Sequence, residues 1–159
     1  MPSTYEPIAT TTLVSTSAQV DFTSIPSTYT DLILISNTIG TATFYSLRLN
    51  ADSTALYSRT RLVGDGTSAT SSRQSGQTEI IIDGLNSTNW SMSTIQFMNY
   101  SNTTTNKTVL VRTAFPSTDT AAIIGLYRST AAISSIRLFM NTNSFAVGST
   151  FTLYGIKAA

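Results

Sequence analysis

About a third of the 159 residues are serine or threonine, and the apolar residues between them do not recur at helical spacing. Threonine favours extended backbone because its branched Cβ packs well on a pleated surface and crowds a helical turn. The apolar residues form short alternating or continuous runs, separated by clusters of Gly, Pro, Asn, Asp and Ser, and such runs are typical of strands. The sequence therefore predicts an all-β chain without amphipathic helices.

Roughly ten strands at a spacing near 8–12 residues indicate an antiparallel sandwich or barrel. Two continuous runs, Leu32–Ile35 and Ile80–Ile82, predict strands that are buried on both faces. The segment Gly64–Gln77 carries no large apolar side chain, so we expect it to be a long, mobile, exposed loop. Phe44 and Phe139 fall on nominal outer faces, where they are either interface residues or core residues of a second sheet.

Histidine and cysteine are both absent from the chain, which removes the commonest general base and the thiolate nucleophiles. Lys107 and Lys157 are the only lysines, and neither lies in a Ser-x-x-Lys arrangement. No Gly-x-Ser-x-Gly elbow is present either. The sequence therefore predicts a binding or scaffold protein without catalytic residues or cofactor.

Four carboxylates in the middle of the chain offer pairs that a glycosidase would need, namely Asp52, Asp65, Glu79 and Asp83. Any chain with eight acidic residues offers such pairs, and Asp in a turn commonly bonds the nearby backbone. No Asp-x-Asp-x-Asp loop is present for calcium. We therefore expect neither glycosidase activity nor a metal site.

Charge is sparse and balanced, with nine basic and eight acidic residues and a net charge of +1. No basic stripe is present, so binding of nucleic acid is not expected. The longest apolar-leaning stretch, Thr120–Met140, is interrupted by Arg128 and Arg137, and no membrane span or signal peptide is predicted. A surface of short hydroxyls is well suited to close packing against another protein.

Five segments that together span nearly the whole chain carry a resemblance to a known family: Ser24–Leu32, Arg48–Asp52, Asn99–Thr108, Gly125–Ile133 and Gly148–Lys157. In these segments the chain resembles small virion proteins of tailed bacteriophages, common among phages of cyanobacteria and marine bacteria. The family often has Arg-Phe-Asn-Gly-Asp where this chain has Leu49 and Ala51, and often Trp where it has Tyr127. The missing glycine leaves the geometry of that turn open.

The resemblance implies a single antiparallel β-sandwich domain, jelly-roll-like, that forms homotrimers. Similar domains serve as cement (decoration) proteins, which bind the major capsid protein on the outer capsid surface and stabilise the shell against internal DNA pressure. Such a protein is assembled in the host cytoplasm and located in the virion. Similar domains also occur at the tips of tailspikes and tail fibres, so a tip that binds host surface polysaccharide is the alternative. An unrelated carbohydrate-binding module is a third hypothesis.

The N-terminal segment is Pro-bounded and carries a single charge, at Glu6. We expect residues 1–7 to form an extended arm and residues 8–159 to form the sandwich. The arm is either a docking segment for the capsid or a disordered tail. The predicted docking residues are Pro2, Tyr5, Pro7 and Ile8.

Contact with the host is predicted for the 64–77 loop and for Trp90, which stands between Asn89 and Ser91 in a polar turn. Trp90 is a candidate exposed anchor because most other aromatic residues lie inside strand patterns. The loop has a plainer alternative, that of a flexible connection without function. The predicted host-contact residues are Asp65, Arg73, Gln74 and Trp90.

Overall fold

The computed structural model describes residues 4–114 and 119–157, and within these ranges the chain is all-β. The twelve strands are β1 (Tyr5–Thr12), β2 (Gln19–Phe22), β3 (Asp31–Thr38), β4 (Phe44–Leu49), β5 (Tyr57–Gly64), β6 (Ala69–Gln77), β7 (Ile80–Asp83), β8 (Ser91–Met98), β9 (Lys107–Ala114), β10 (Thr120–Tyr127), β11 (Ile136–Phe139) and β12 (Thr150–Ile156). No helix in this part of the chain is long and apolar enough to cross a membrane.

The strands form two antiparallel sheets of unequal size. The large sheet has eight strands in the order β1-β12-β3-β8-β9-β10-β5-β6, and the small sheet has four in the order β2-β11-β4-β7. Alternate residues of each sheet are buried in one shared hydrophobic core, as expected for two sheets packed face to face. The predicted β-sandwich is confirmed.

The core contains aliphatic side chains along most of its length and an aromatic cluster towards one end. Tyr45, Leu47 and Leu49 of β4 are fully buried, as their alternating pattern predicts. Phe145 contacts Tyr45 and Phe151 edge-to-face, with ring centroids 5.6 and 5.0 Å apart. A protein of this size can bury such a core without disulfides.

Parts of the five segments singled out in the sequence contact one another at the opposite end of the sandwich. The Tyr127 hydroxyl donates to the Asp52 carboxylate at 2.7 Å, and the Tyr127 ring stacks on Tyr57 with centroids 4.7 Å apart. The Tyr29 ring lies directly over Gly155, where an added Cβ would overlap it. These segments therefore form a structural base of the domain.

The predicted long loop at residues 64–77 is wrong, because Ala69–Gln77 forms the strand β6. This strand pairs along its length with β5, so that Arg73 lies opposite Thr60. A short turn, residues 65–68, joins the two strands. Its Asp65 carboxylate accepts the backbone N–H groups of Thr67 and Ser68 at 2.8 and 2.6 Å. Backbone pairing with β5 orders a segment that has no apolar face of its own.

The predicted boundary between arm and sandwich also moves, because β1 begins at Tyr5 instead of after residue 7. Tyr5, Glu6 and Pro7 pair with Ile156, Gly155 and Tyr154 of β12. Glu6 also accepts a hydrogen bond from Lys157 Nζ at 2.8 Å, and this contact lowers the pKa of the Glu6 carboxyl. Residues 5–7 therefore belong to the edge of the large sheet.

The prediction that Leu32–Ile35 is buried on both faces is wrong for the single chain. Leu32 and Leu34 are fully buried in the core, whereas Ile35 keeps 38% of its surface exposed. The reason is the sheet arrangement, since the small sheet covers only one face of the large sheet. In β7, Ile80 and Ile82 are fully buried, while Ile81 on the other face is only half-buried.

Candidate functional site

The uncovered side of the large sheet carries an extended apolar surface. It collects side chains from four central strands and from β5, all on the face that points away from the small sheet. Five of these side chains are large, and between 38 and 57% of their surface is exposed. We call this surface the aliphatic face; its members are Ile33, Ile35, Leu62, Met92, Met98, Leu110, Ile124 and Leu126.

The strand register places these residues in cross-strand rows. One row passes through Ile33 and runs from Pro7 on β1 to Arg73 on β6, through Tyr154, Gln96, Leu110, Ile124 and Thr60. The row through Ile35 holds Thr10, Thr152, Thr94, Arg112, Ala122, Leu62 and Ser71. Neither row contains a carboxylate, and the charged groups in them are two arginines.

Arg112 lies within the aliphatic face, while Arg73 lies on its edge strand. Beside Arg112 the face has a shallow depression of about 450 Å³ lined by Leu62, Thr120 and Ala122, among others. The large sheet therefore presents a mixture of aliphatic side chains, hydroxyls and one central guanidinium. Exposed apolar surfaces of this breadth are typical of protein–protein contact.

A second surface lies on the small sheet, where a groove of about 420 Å³ runs between the start of β4 and the end of β11. We call it the Phe44 groove. The Phe44 side chain is 46% exposed, whereas Phe139 is only 7% exposed and has the Arg48 guanidinium 4.6 Å above its ring. Phe44 is therefore an accessible aromatic ring, and Phe139 is largely covered.

Polar groups surround the aromatic part of the Phe44 groove. The Thr41 hydroxyl donates to Asn143 Oδ1 at 3.2 Å, and Asn141 Nδ2 donates to Glu79 Oε1 at 3.5 Å. Glu79 also forms an ion pair with Arg48 at 2.8 Å. Neutral amides and hydroxyls thus line a cleft whose size falls in the range of small-ligand sites.

Trp90 lies at the same end of the sandwich as the groove, and 43% of its surface is exposed. Its ring packs close to Gly148, where an added Cβ would sit 3.2 Å from the indole. Val147 and Val14 are also exposed, and the Gly148 amide donates to the Leu13 carbonyl at 2.8 Å. Trp90 is therefore half-covered by its own chain.

The four predicted host-contact residues do not form one site. Asp65 bonds within its own turn, and the hydrogen bonds from Ser68 and Thr67 lower the pKa of its carboxyl. Gln74 accepts from Arg59 Nε at 2.8 Å. Trp90 precedes β8, and three strands separate β8 from β6 in the large sheet. The separation follows from the β5–β6 hairpin, which holds Arg73 and Gln74 far from Trp90 in the strand order.

The predicted docking residues lie mainly on the edge strand β1. Tyr5 is 54% exposed, Pro7 is exposed, and Ile8 packs against the core. Pro2 lies outside the described residues. An exposed edge strand can pair with another chain, so the prediction of docking stays a prediction.

The candidate carboxylates each contact groups of their own chain. Asp83 pairs with Arg59 at 3.2 Å and Arg61 at 2.7 Å, and burial lowers the pKa of the Arg59 guanidinium although Asp83 opposes the shift. The hydrogen bonds from Thr54 lower the pKa of Asp52. Among the described residues no three acidic side chains come together as a metal site would require.

Lys107 is the one buried cation on the inner face of the large sheet within the described chain. Its Nζ donates to the carbonyl oxygens of Thr105 and Thr130 at 2.7 and 3.1 Å. Burial lowers the pKa of this amine. The two carbonyl contacts connect two loops at the base of the domain, which is a structural role.

Comparison with known proteins returned no matching family model and no matching curated protein. The surfaces of the domain are therefore the basis on which a function can be proposed. Sequence reasoning missed the aliphatic face, although the doubly apolar pattern of β3 contained its signal. The sequence also indicates that Phe44 lies on an outer face, but it does not indicate the groove beside this residue.

Proposed function

We propose that the chain is a structural protein of a tailed-bacteriophage virion, a homotrimeric decoration protein that binds the outer capsid surface. The family-like segments across the chain support this proposal, and so does the β-sandwich fold. The observation that carries it is the aliphatic face, since a broad apolar surface whose two central rows lack carboxylates is suited to permanent contact with protein. On this proposal the partners are other copies of the chain and the major capsid protein.

The proposed mechanism is adhesion. A decoration protein binds the assembled shell in preference to separated capsid subunits, and by mass action such binding stabilises the assembled state. The contacts would therefore oppose the outward pressure of packaged DNA. No covalent step is needed, and the hydroxyl-rich surface away from the contacts would keep the trimer soluble.

Immunogold electron microscopy of the parent phage tests the location. Antibodies raised against the purified chain are expected to label the whole capsid surface. Gold restricted to the tail tip would overturn the capsid role and favour the alternative. If the particles carry no gold label and the chain is also absent from the denatured protein of the particles, both virion roles are overturned.

A tail-fibre or tailspike tip that binds host surface glycans is the second candidate, and the Phe44 groove favours it. An exposed aromatic ring can stack on the apolar face of a sugar, while amides and hydroxyls bond to the sugar's own hydroxyls. The groove supplies these groups with Phe44, Thr41, Asn141 and Asn143. The predicted contacts at Asp65, Arg73, Gln74 and Trp90 have no comparable grouping.

Binding to polysaccharide purified from the host envelope tests this second candidate. Phe44→Ala is expected to weaken binding about tenfold, because it removes the stacking surface. Val14→Ala is the matched control, since Val14 is 90% exposed on a different loop. Equal affinity of the two variants and the unmodified chain, or no binding at all, would contradict the glycan role of the groove.

A further inference from the structure

We propose that the aliphatic face is the surface through which copies of this chain associate with one another. This inference deepens the proposed function. It rests on that proposal for the number of associating copies, which is three. The surface assignment itself follows from the sequence pattern, the charge distribution and the size of the face.

The sequence pattern of the central strands indicates a second covering layer. Continuous apolar runs are typical of strands buried on both faces, and β3 has such a run in Leu32–Ile35. The chain covers only the Leu32 and Leu34 side of it. The strand β10, which β8 and β9 separate from β3 in the large sheet, repeats the pattern, with Ile123 fully buried and Ile124 54% exposed. Residues 4–114 and 119–157 do not supply this second layer, and another copy presents the same kind of surface.

Charge distribution fits association between identical faces. A partner with a basic or acidic surface would need opposite charges on this face, and the two central rows contain no carboxylate. Between β12 and β5, Arg112 is the one charged side chain in these two rows, and its guanidinium needs oxygen acceptors when water is excluded. The side chains of Thr94 and Gln96 on β8 offer such acceptors in every copy. The face therefore contains both the donor and the acceptors that an interface of like surfaces requires.

The dimensions of the face approach those of a stable interface. From β12 to β5 the large sheet has six strands, which span about 24 Å, and seven residues along a strand rise about 24 Å. The projected area is therefore about 600 Å², and side-chain relief increases the accessible area above this. Stable interfaces bury about 800 Å² per partner. If three faces of this width formed a triangle around one axis, the centre of each face would lie about 7 Å from the axis. Ile, Leu and Met side chains extend far enough to meet near the axis.

Sedimentation equilibrium of the purified chain tests the inference. The unmodified chain is expected to have three times the 17.1 kDa mass of one chain. Ile124→Lys should raise the dissociation constant of the oligomer about 100-fold, because a lysine in the interface is buried without a counter-charge. Val147→Lys is the matched control, since Val147 has the same 54% exposure and lies in the loop before β12. It should leave the mass unchanged.

A second variant, Leu62→Lys, keeps the test decisive if Ile124→Lys fails to fold. Leu62 lies on β5 and is 56% exposed, and circular dichroism with thermal melting checks that each variant is folded. A folded Ile124→Lys or Leu62→Lys variant that sediments as a monomer supports the inference. A monomeric unmodified chain at all concentrations would overturn it.

The outcomes also separate this inference from the proposed function. If the unmodified chain is a trimer and both folded face variants remain trimers, the surface assignment fails while the trimer survives. If the unmodified chain is a dimer that the face variants dissociate, the surface assignment holds and the trimer fails. Labelling of the capsid by immunogold is independent of both results.

Discussion

At the scale of single residues, the turn after β4 shows a local conflict between residue type and backbone. Asn50 and Ala51 both have left-handed backbones, with φ of 52° and 55°. Asparagine tolerates this region, but for alanine it costs about 1–2 kcal/mol. The turn is held by Asn50, whose Oδ1 accepts the Ser134 amide at 2.8 Å and whose Nδ2 donates to the Ala132 carbonyl at 2.8 Å. Alanine thus occupies a backbone conformation that glycine adopts without strain.

Ala51→Gly is expected to stabilise the domain by up to about 1 kcal/mol, because glycine adopts a left-handed backbone without strain. Urea unfolding followed by tryptophan fluorescence measures the change. Ala55→Gly is the control: Ala55 is also exposed but is not among the residues with positive φ. It should be destabilising, since glycine gains entropy in the unfolded chain. Equal effects of both substitutions would contradict the assigned turn.

The Asp52 carboxylate makes the stability of the base depend on pH. It accepts from the Thr54 hydroxyl at 2.5 Å, the Thr54 amide at 2.8 Å and the Tyr127 hydroxyl. These bonds hold its pKa below the ordinary value of 3.8. Its contribution is therefore complete above that value and is lost as the pH falls through the lower folded-state pKa. The group should have no such effect between pH 5 and neutral pH.

Asp52→Asn is expected to lower stability at pH 7, because the charged acceptor of three hydrogen bonds is removed. The difference between variant and unmodified chain should shrink as the pH approaches 2, where the aspartate is protonated. Urea unfolding at pH 7, 4 and 2 measures it. A difference that stays constant across this range would mean that the carboxylate charge is not what stabilises the base.

Some hydroxyls on the inner face of the large sheet are buried without a hydrogen-bond partner among the described residues, including those of Ser91 and Thr113. Thr113→Val should therefore be neutral or stabilising by about 1 kcal/mol, since it removes a desolvated hydroxyl without changing shape. Thr38→Val is the control, because the Thr38 hydroxyl donates to the Ser91 carbonyl at 3.4 Å. Thermal melting compares the two, and a destabilised Thr113→Val would contradict the assignment.

At the scale of elements, the sequence predicts strands well wherever one face enters the core. In β4 the alternation of Tyr45, Leu47 and Leu49 with polar residues is sufficient, because burial of one face imposes a period of two. The strand β6 has no such signal. Its residues are Ser, Thr, Gln, Arg, Ala and Gly, and only its pairing with β5 makes it a strand. The sequence of β6 alone does not indicate that a neighbouring strand pairs with it.

Hydrogen–deuterium exchange distinguishes the hairpin from the mobile loop that the sequence predicts. In an antiparallel edge strand only alternate N–H groups point to the neighbouring strand. Alternate amides of Ala69–Gln77 should therefore exchange slowly, and those between them should exchange fast. Uniformly fast exchange over residues 65–77 would mean that the segment is a loop in solution.

At the scale of the whole molecule, the sandwich could be predicted from the sequence, but the division into eight and four strands could not. The inequality of the two sheets arises because β1 pairs with β12, β5 with β10, and β6 with β5 at the margins of the large sheet, and β1 and β6 carry little apolar pattern. Ile35 and Ile124 are uncovered because they lie on the face of the large sheet that points away from the small sheet. The aliphatic face could therefore not be predicted from the sequence, because its position depends on which of the two apolar faces of the sheet the chain itself covers.

The central claim is that the chain is a building block of the capsid surface, and its copy number per virion tests this most directly. Quantitative mass spectrometry of purified particles would give its ratio to the major capsid protein. We predict a ratio on the order of one per capsid subunit, as the symmetry of a decorated shell requires. A count on the order of tens or fewer per particle would place the chain on the tail, and its absence from the particle would contradict the account entirely.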